Sequence, residues 1–158
     1  MKAATIACVA ALAVGGLWAA PAAAKPLKHG GASIQQIAEV LRHRGYPAEI
    51  GVDDQGDPKI TSTIEGVEFY VLCYPNGDVC GSIQFSAVVN LEDGTTYEKI
   101  NEWNREQRYG QAWLDDEMDP YLDMSVELEH GASTELIDEN LTDWAEIVGK
   151  WKGFLGLD

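Results

Sequence analysis

Side chains able to do chemistry are few and scattered along this sequence. The three histidines, His29, His43 and His130, fall in separate segments, and none has a second His or Cys one helical turn away, the spacing at which a helix presents two metal ligands. Ser82 follows Gly81 inside a predicted strand, which is not the strand–turn–helix setting of a nucleophile elbow. There is no H-E-x-x-H run and no phosphate-cradling glycine loop. Carboxylates are abundant, but in a chain of net charge −15 their abundance carries no specificity. A glycosidase-like pair needs a measured separation before it means anything. The two acidic turns fail the calcium-loop test. A loop starting at Asp115 needs Gly at position 120 and Glu at 126, and one starting at Asp53 needs Gly at 58 and Glu at 64. The chain has Pro120, Val126, Pro58 and Ile64. These turns read as solvated hairpin connections.

The remaining chemistry is that of Cys73 and Cys80, flanking Pro75-Asn76-Gly77-Asp78, a hairpin signal. A loop of two or four residues centred between Asn76 and Gly77 sets Cys73 opposite Cys80. A three-residue loop with a bulge sets Cys73 opposite Val79 and turns Cys80 to the other face, because a one-residue slip inverts every side chain. The C-x6-C spacing is not that of a redox pair, and no helix N-terminus is expected nearby to lower a thiol pKa. An exported chain left with two cysteines favours the even loop and a structural disulfide.

Export is read from the N-terminus. Lys2 precedes the apolar run Ile6–Leu17, and Ala22-Ala23-Ala24 supplies small residues for cleavage. The expected mature chain begins at Lys25 and is periplasmic. Cys8 lies within the apolar run instead of ending it, which argues against a lipoprotein. The mature 134 residues carry ten basic and 26 acidic side chains, a net of −16. Such a surface repels phosphate backbones and anionic lipid, so nucleic acid and membrane are poor partners. A chain of this length buries about two-thirds of its unfolded surface, enough for one core. No further apolar span and no linker divides it. The expected organisation is a signal peptide over 1–24, a flexible lead over 25–32 and a single domain over 33–158.

The elements that position these residues follow in order. Ser33 with Gln36 forms a capping box for a helix striped by Ile34, Ile37, Ala38 and Leu41 and ended at Gly45. Strands follow at 48–52, 59–64, 67–74 and 79–89. The third is apolar on both faces, as a central strand would be. Thr95 with Glu98 opens a second helix running to Tyr109, with Gly110 at its C′ position. Asn104 lies on the apolar side of that helix, and its amide is expected to bond the backbone of a neighbouring strand or loop. Residues 111–115 and 121–128 form a hairpin. Ser133 caps the last helix, whose Ile137, Leu141, Trp144, Val148, Trp151 and Leu155 recur every three or four residues. The default use of that seam is packing on the sheet. A homodimer interface through Leu141, Val148 and Trp151 is the sharper reading.

In this order and spacing, Phe69-Tyr70, Ser82-Ile83-Gln84-Phe85, Asn101-x-Trp103-Asn104, Arg108-Tyr109, Ala112, Leu114-Asp115, Leu122-Asp123-Met124 and Trp144 resemble the YbjN family of bacterial sensory transduction regulators over residues 33–155. The resemblance implies a fold similar to type III secretion chaperones, often dimeric, that binds partners and regulates instead of catalysing. It implies a scaffolding role for Trp103, Asn104, Arg108, Leu114, Asp115 and Trp144. The chain departs from the family in its signal peptide and its cysteine pair. The expectation is therefore an α+β domain with one antiparallel sheet and helices on one face. It serves as a non-enzymatic periplasmic protein-binding or chaperone-like module with no cofactor or metal and an unidentified protein partner. The alternatives are a carboxylate-dependent hydrolase and a structural subunit of an envelope complex.

Overall fold

A computed structural model describes residues 26–27 and 30–157. The expected signal peptide and its cleavage after Ala24 lie outside the described residues, as does His29. The element order is α1 (Ile34–His43), β1 (Glu49–Val52), β2 (Pro58–Ile64), β3 (Val67–Asn76), β4 (Val79–Val88), α2 (Tyr97–Glu106), β5 (Gln111–Leu114), β6 (Pro120–Glu127) and α3 (Thr134–Leu155). The six strands form one antiparallel sheet in the order β1-β2-β3-β4-β6-β5. The helices cover one face, giving the expected α+β architecture.

Strand alternation decides which side chains enter the core. Ile60, Val71, Phe85 and Met124 stand opposite one another across β2, β3, β4 and β6, and all four are buried. Above them α3 lays down Ile137, Leu141, Trp144, Ile147, Val148 and Trp151. Leu141 is 1% exposed, and Val148 and Trp151 are fully covered. The dimer seam expected at Leu141, Val148 and Trp151 is therefore corrected: the chain's own core occupies it. The helix is a core helix because a narrow apolar stripe finds a complete apolar sheet face in the same chain.

The disulfide forms, but in a different register from the one expected. Asn76 pairs with Val79, so Gly77-Asp78 is the loop, and its centre lies one residue further along. Cys80 stands opposite Pro75, two residues from Cys73 on the same face, and Cys73 itself stands opposite Ile83. The pairing shifts between Tyr74 and Pro75, which makes Gly81 the extra residue of a bulge. A Cβ on Gly81 would lie 2.9 Å from the Cβ of Asn76. The Cα atoms of Cys73 and Cys80 are 5.2 Å apart and their sulfurs are bonded.

Outside the sheet, the described part of the lead is bonded to the body, and α2 is shorter than expected. Within 25–32, Leu27 donates to Ala132 O, and Ala32 exchanges both backbone bonds with Cys80; Ala32 is fully buried. These described parts of the lead are tied to the body: β6 ends opposite Ser82, and Ala32 takes the backbone groups of Cys80 that lie beyond it. The second helix is capped by Thr96, whose hydroxyl accepts from Lys99 N, one residue later than expected. It ends at Glu106, and Gln107 is already extended. Gly110, at φ +78, leads into β5 instead of capping the helix.

Candidate functional site

Several of the conspicuous sequence residues converge on the β5 edge of the sheet. Trp103 is buried. Its indole N–H donates to Gly110 O at 2.9 Å, and its ring meets Trp151 edge-on with centroids 4.7 Å apart. These contacts pull the chain out of the helix and aim it along the sheet. One residue on, Asn104 donates through Nδ2 to Ala112 O and accepts through Oδ1 from Ala112 N, at 2.9 and 2.8 Å. The amide imitates an adjacent strand, as its expected backbone bonding anticipated. It does so at the surface instead of in the core.

Asp115 Oδ1 accepts from Glu117 N and Asp119 N, which fixes the β5–β6 turn. Leu114 packs half-buried against the core. Arg108 is exposed, its guanidinium 5.2 Å from the ring centre of Tyr109. Trp144 belongs to a different cluster, between Phe69 at 5.9 Å and Phe85 at 5.6 Å. Trp103, Asn104 and Asp115 thus hold β5 and its turn, and Trp144 centres the core.

The sheet face away from the helices is open over much of its area, although Ser86 on it is buried. It carries Tyr70, Leu72 and Tyr74 from β3, Gln84 and Ser86 from β4, Trp113 from β5, and Tyr121 and Asp123 from β6, as the pairing register dictates. Trp113 is 42% exposed and stacks on Tyr121 at 4.1 Å. Asp123 organises this corner. One carboxylate oxygen accepts from Trp113 Nε1 and the other from Ser86 Oγ, both at 2.6 Å. Further along, Tyr70 donates to Glu68 at 2.6 Å, Tyr74 donates to Gln84 at 3.1 Å, and Lys59 Nζ lies 4.9 Å above the Tyr70 ring.

Carboxylates neighbour two of the tyrosine hydroxyls on this face. The Tyr121 hydroxyl is pushed above its ordinary pKa by burial and then by the charges of Asp115, Asp119, Glu117 and Asp123. Tyr70 is raised chiefly by its hydrogen bond to Glu68. The face combines fixed aromatic planes, amphipathic hydroxyls and acidic neighbours, a composition suited to contact with protein surface. The sequence signal that could have located it is the outward-facing alternation of β3 and of the β5–β6 hairpin, Tyr70, Leu72 and Tyr74 with Trp113 and Tyr121.

For the hydrolase alternative, the carboxyls displaced from their ordinary range move the wrong way for a general acid. Asp138 is lowered by its hydrogen bond from Arg44 and Glu146 by that from Lys150. A polar groove of about 570 Å³ beside β5 includes Gln84, Asn104, Arg108, Gln111, Asp123 and Ser125. Among the described residues no group of three His, Cys, Asp or Glu could hold a metal ion, and no helix is long and apolar enough to cross a membrane.

One regularity escaped the sequence reading. Asp53-Asp54-Gln55-Gly56-Asp57-Pro58 and Asp115-Asp116-Glu117-Met118-Asp119-Pro120 are the same turn. In each the first Asp accepts from the backbone two and four residues on, its own N–H donates to the carbonyl of the last Asp, and the fourth residue has positive φ, +90 at Gly56 and +66 at Met118. Their first carboxylates are committed to holding hairpins. The repeated D-D-x-x-D-P pattern is visible in the sequence to anyone comparing the two turns.

A family model described as "YbjN: Putative bacterial sensory transduction regulator" matches residues 33–153. No curated protein and no solved structure matches the chain.

Proposed function

Because this chain belongs to the YbjN family, we propose that it is a non-enzymatic regulatory module that, once exported to the periplasm, holds another protein on the open face of its sheet. The observation that carries this reading is the Trp113–Tyr121 stack, exposed and fixed by Asp123. A tryptophan whose ring and N–H are both immobilised offers contact area without the entropy of ordering a mobile side chain. The acidic surroundings favour a partner segment rich in Lys and Arg, and attraction of that kind weakens as salt screens it.

The test is affinity capture of periplasmic proteins by the mature chain, with each captured partner then purified and titrated. Trp113→Ala should weaken its binding by about tenfold or more, since interface tryptophans commonly carry that much, while far-UV circular dichroism stays unchanged. Binding should also fall from low to physiological salt. A partner whose affinity ignores both Trp113→Ala and salt would overturn the assignment to this face. Steady small-molecule turnover by the purified chain would overturn the non-enzymatic reading. N-terminal sequencing of exported protein should give Lys25, and Met1 would refute the export step.

A further inference from the structure

The same acidic turn closes the two outermost hairpins, so their edge strands can be compared residue by residue. Val52 corresponds to Leu114, Gly51 to Trp113 and Ile50 to Ala112. In an antiparallel pair the residues that exchange bonds alternate with those whose N–H and C=O point away from the partner. The bond from Asp53 N to Asp57 O sets the phase: Gly51 and Glu49 bond inward to Lys59 and Thr61. Ile50 and Val52 therefore direct their backbone groups outward. On β5 the matching Ala112 spends its outward N–H and C=O on Asn104. On β1, Arg42 covers only Ala48 O. Among the described residues nothing pairs with the outward groups of Ile50 and Val52. Their side chains are 43% and 63% exposed; β1 has no lysine, proline or bulge, and its guards against pairing are its four-residue length and Glu49, a charge that repels an acidic strand and admits a basic one.

We propose that the free edge of β1 receives an extended segment of the partner protein as a seventh strand, with apolar residues opposite Ile50 and Val52 flanked by Lys or Arg. This deepens the protein-binding reading and rests on it. Charge selects the occupant. A second copy entering antiparallel with Ile50 opposite Val52 sets Glu49 against Asp53 and brings together two chains of net charge −15. A basic segment reverses both terms, pairing its cations with Glu49 and the acidic turn while its apolar residues cover Ile50 and Val52. The new strand also widens the open face that bears Tyr70 and Trp113.

The probe is acetyl-Lys-Val-Thr-Val-Lys-amide, titrated into the mature chain while amide exchange is followed residue by residue. Added peptide should slow exchange at Ile50 and Val52. Val52→Pro removes only an outward N–H, a change an edge strand tolerates, and should weaken the peptide by about tenfold through the lost backbone bond with unchanged circular dichroism. A Glu-for-Lys peptide and one methylated on its valine nitrogens should give no protection. Trp113→Ala should leave the peptide effect intact, so loss of partner binding with Trp113→Ala but retained peptide protection separates the open face from the edge. Absence of protection at saturating peptide, equal binding of the methylated peptide, or peptide-free protection that grows with protein concentration, the mark of a second copy, would each overturn the proposal.

Discussion

The β5–β6 and β1–β2 hairpins share a turn and differ in what lies beyond it. Both begin with an Asp whose carboxylate accepts two backbone N–H groups, and both end in a Pro that starts the inner strand. Beyond β5, α2 runs alongside and lends Asn104 to the edge. Beyond β1, Arg42 of α1 bonds Ala48 O just before the strand, and among the described residues nothing bonds the outward groups of Ile50 and Val52. A hairpin therefore does not determine whether its edge is closed; the helix beside it does. Asn104 closes an edge with a neutral amide in strand-like geometry, which satisfies a donor and an acceptor together.

Removing the support of the closed edge should have the largest effect. Trp103→Ala takes away a fully buried ring and the bond to Gly110, and should cost about 3–5 kcal/mol in denaturant unfolding. Asn104→Ala strands Ala112's two backbone groups and should cost about 1–3 kcal/mol, toward the lower end because water can reach them. Its distinctive consequence is a second open edge, so the Ala112 amide, which Asn104 Oδ1 holds, should exchange faster. An Asn104→Ala protein with wild-type stability and unchanged exchange at Ala112 would show that the amide does not guard β5.

Much of this scaffold was legible because local chemistry dictated it. Ser33 and Gln36 sit at capping-box spacing, and the box forms. The stripe of α3 matched the sheet's apolar face, and the strand runs came within two residues of their observed ends. Asn104, polar on an apolar side, announced a backbone partner before the partner was known. What failed depended on partners distant in sequence or on single-residue geometry. Cys80 pairs with Ala32 across the sequence, and the Gly81 bulge sets the hairpin register, so counting from the loop alone misplaced the cysteines' neighbours. The early end of α2 reflects Trp103 and Asn104 holding Gly110 and Ala112, a demand of the strand that helix propensity does not contain. A sheet face or edge was an expected binding surface, but the residues of the open face could not be singled out because they alternate with core residues in the same strands, and burial assigns them a side only once pairing is known.

The shared turn offers a control on the comparison. Asp53→Ala and Asp115→Ala each remove an acceptor of two backbone bonds at a surface turn, and each should cost about 1–2 kcal/mol. If the hairpins differ only beyond the turn, the two losses should agree within about 0.5 kcal/mol, the scatter expected of independent sites. A much larger loss at Asp115 would mean that Asn104's hold on β5 depends on the turn, so that turn and edge act as one coupled unit.

The smallest effect concerns how α1 is held over the open-edge side. Arg44, just past α1, donates from Nε and Nη2 to the two carboxylate oxygens of Asp138 on α3, and Nη2 also reaches Thr142. The hydrogen bond from Arg44 lowers the Asp138 pKa against the opposing effect of burial, with help from the charges of Arg44 and His43. A carboxyl whose folded pKa lies below its unfolded value, about 3.9, stabilises the fold above that value. The stabilisation disappears as pH falls through the lower folded pKa. The side chains are 43% and 33% exposed, so the contribution should stay below about 1 kcal/mol and shrink with salt. Between about pH 5 and 2, wild-type stability should fall more than that of Asp138→Asn by roughly this amount. Amides of α1 should lose protection in that window before those of β5, whose bonds to Asn104 are neutral and do not titrate. Identical acid profiles for wild type and Asp138→Asn would show that α1 is held by Ile37 and Leu41 packing alone, and that the open edge has no electrostatic support beside it.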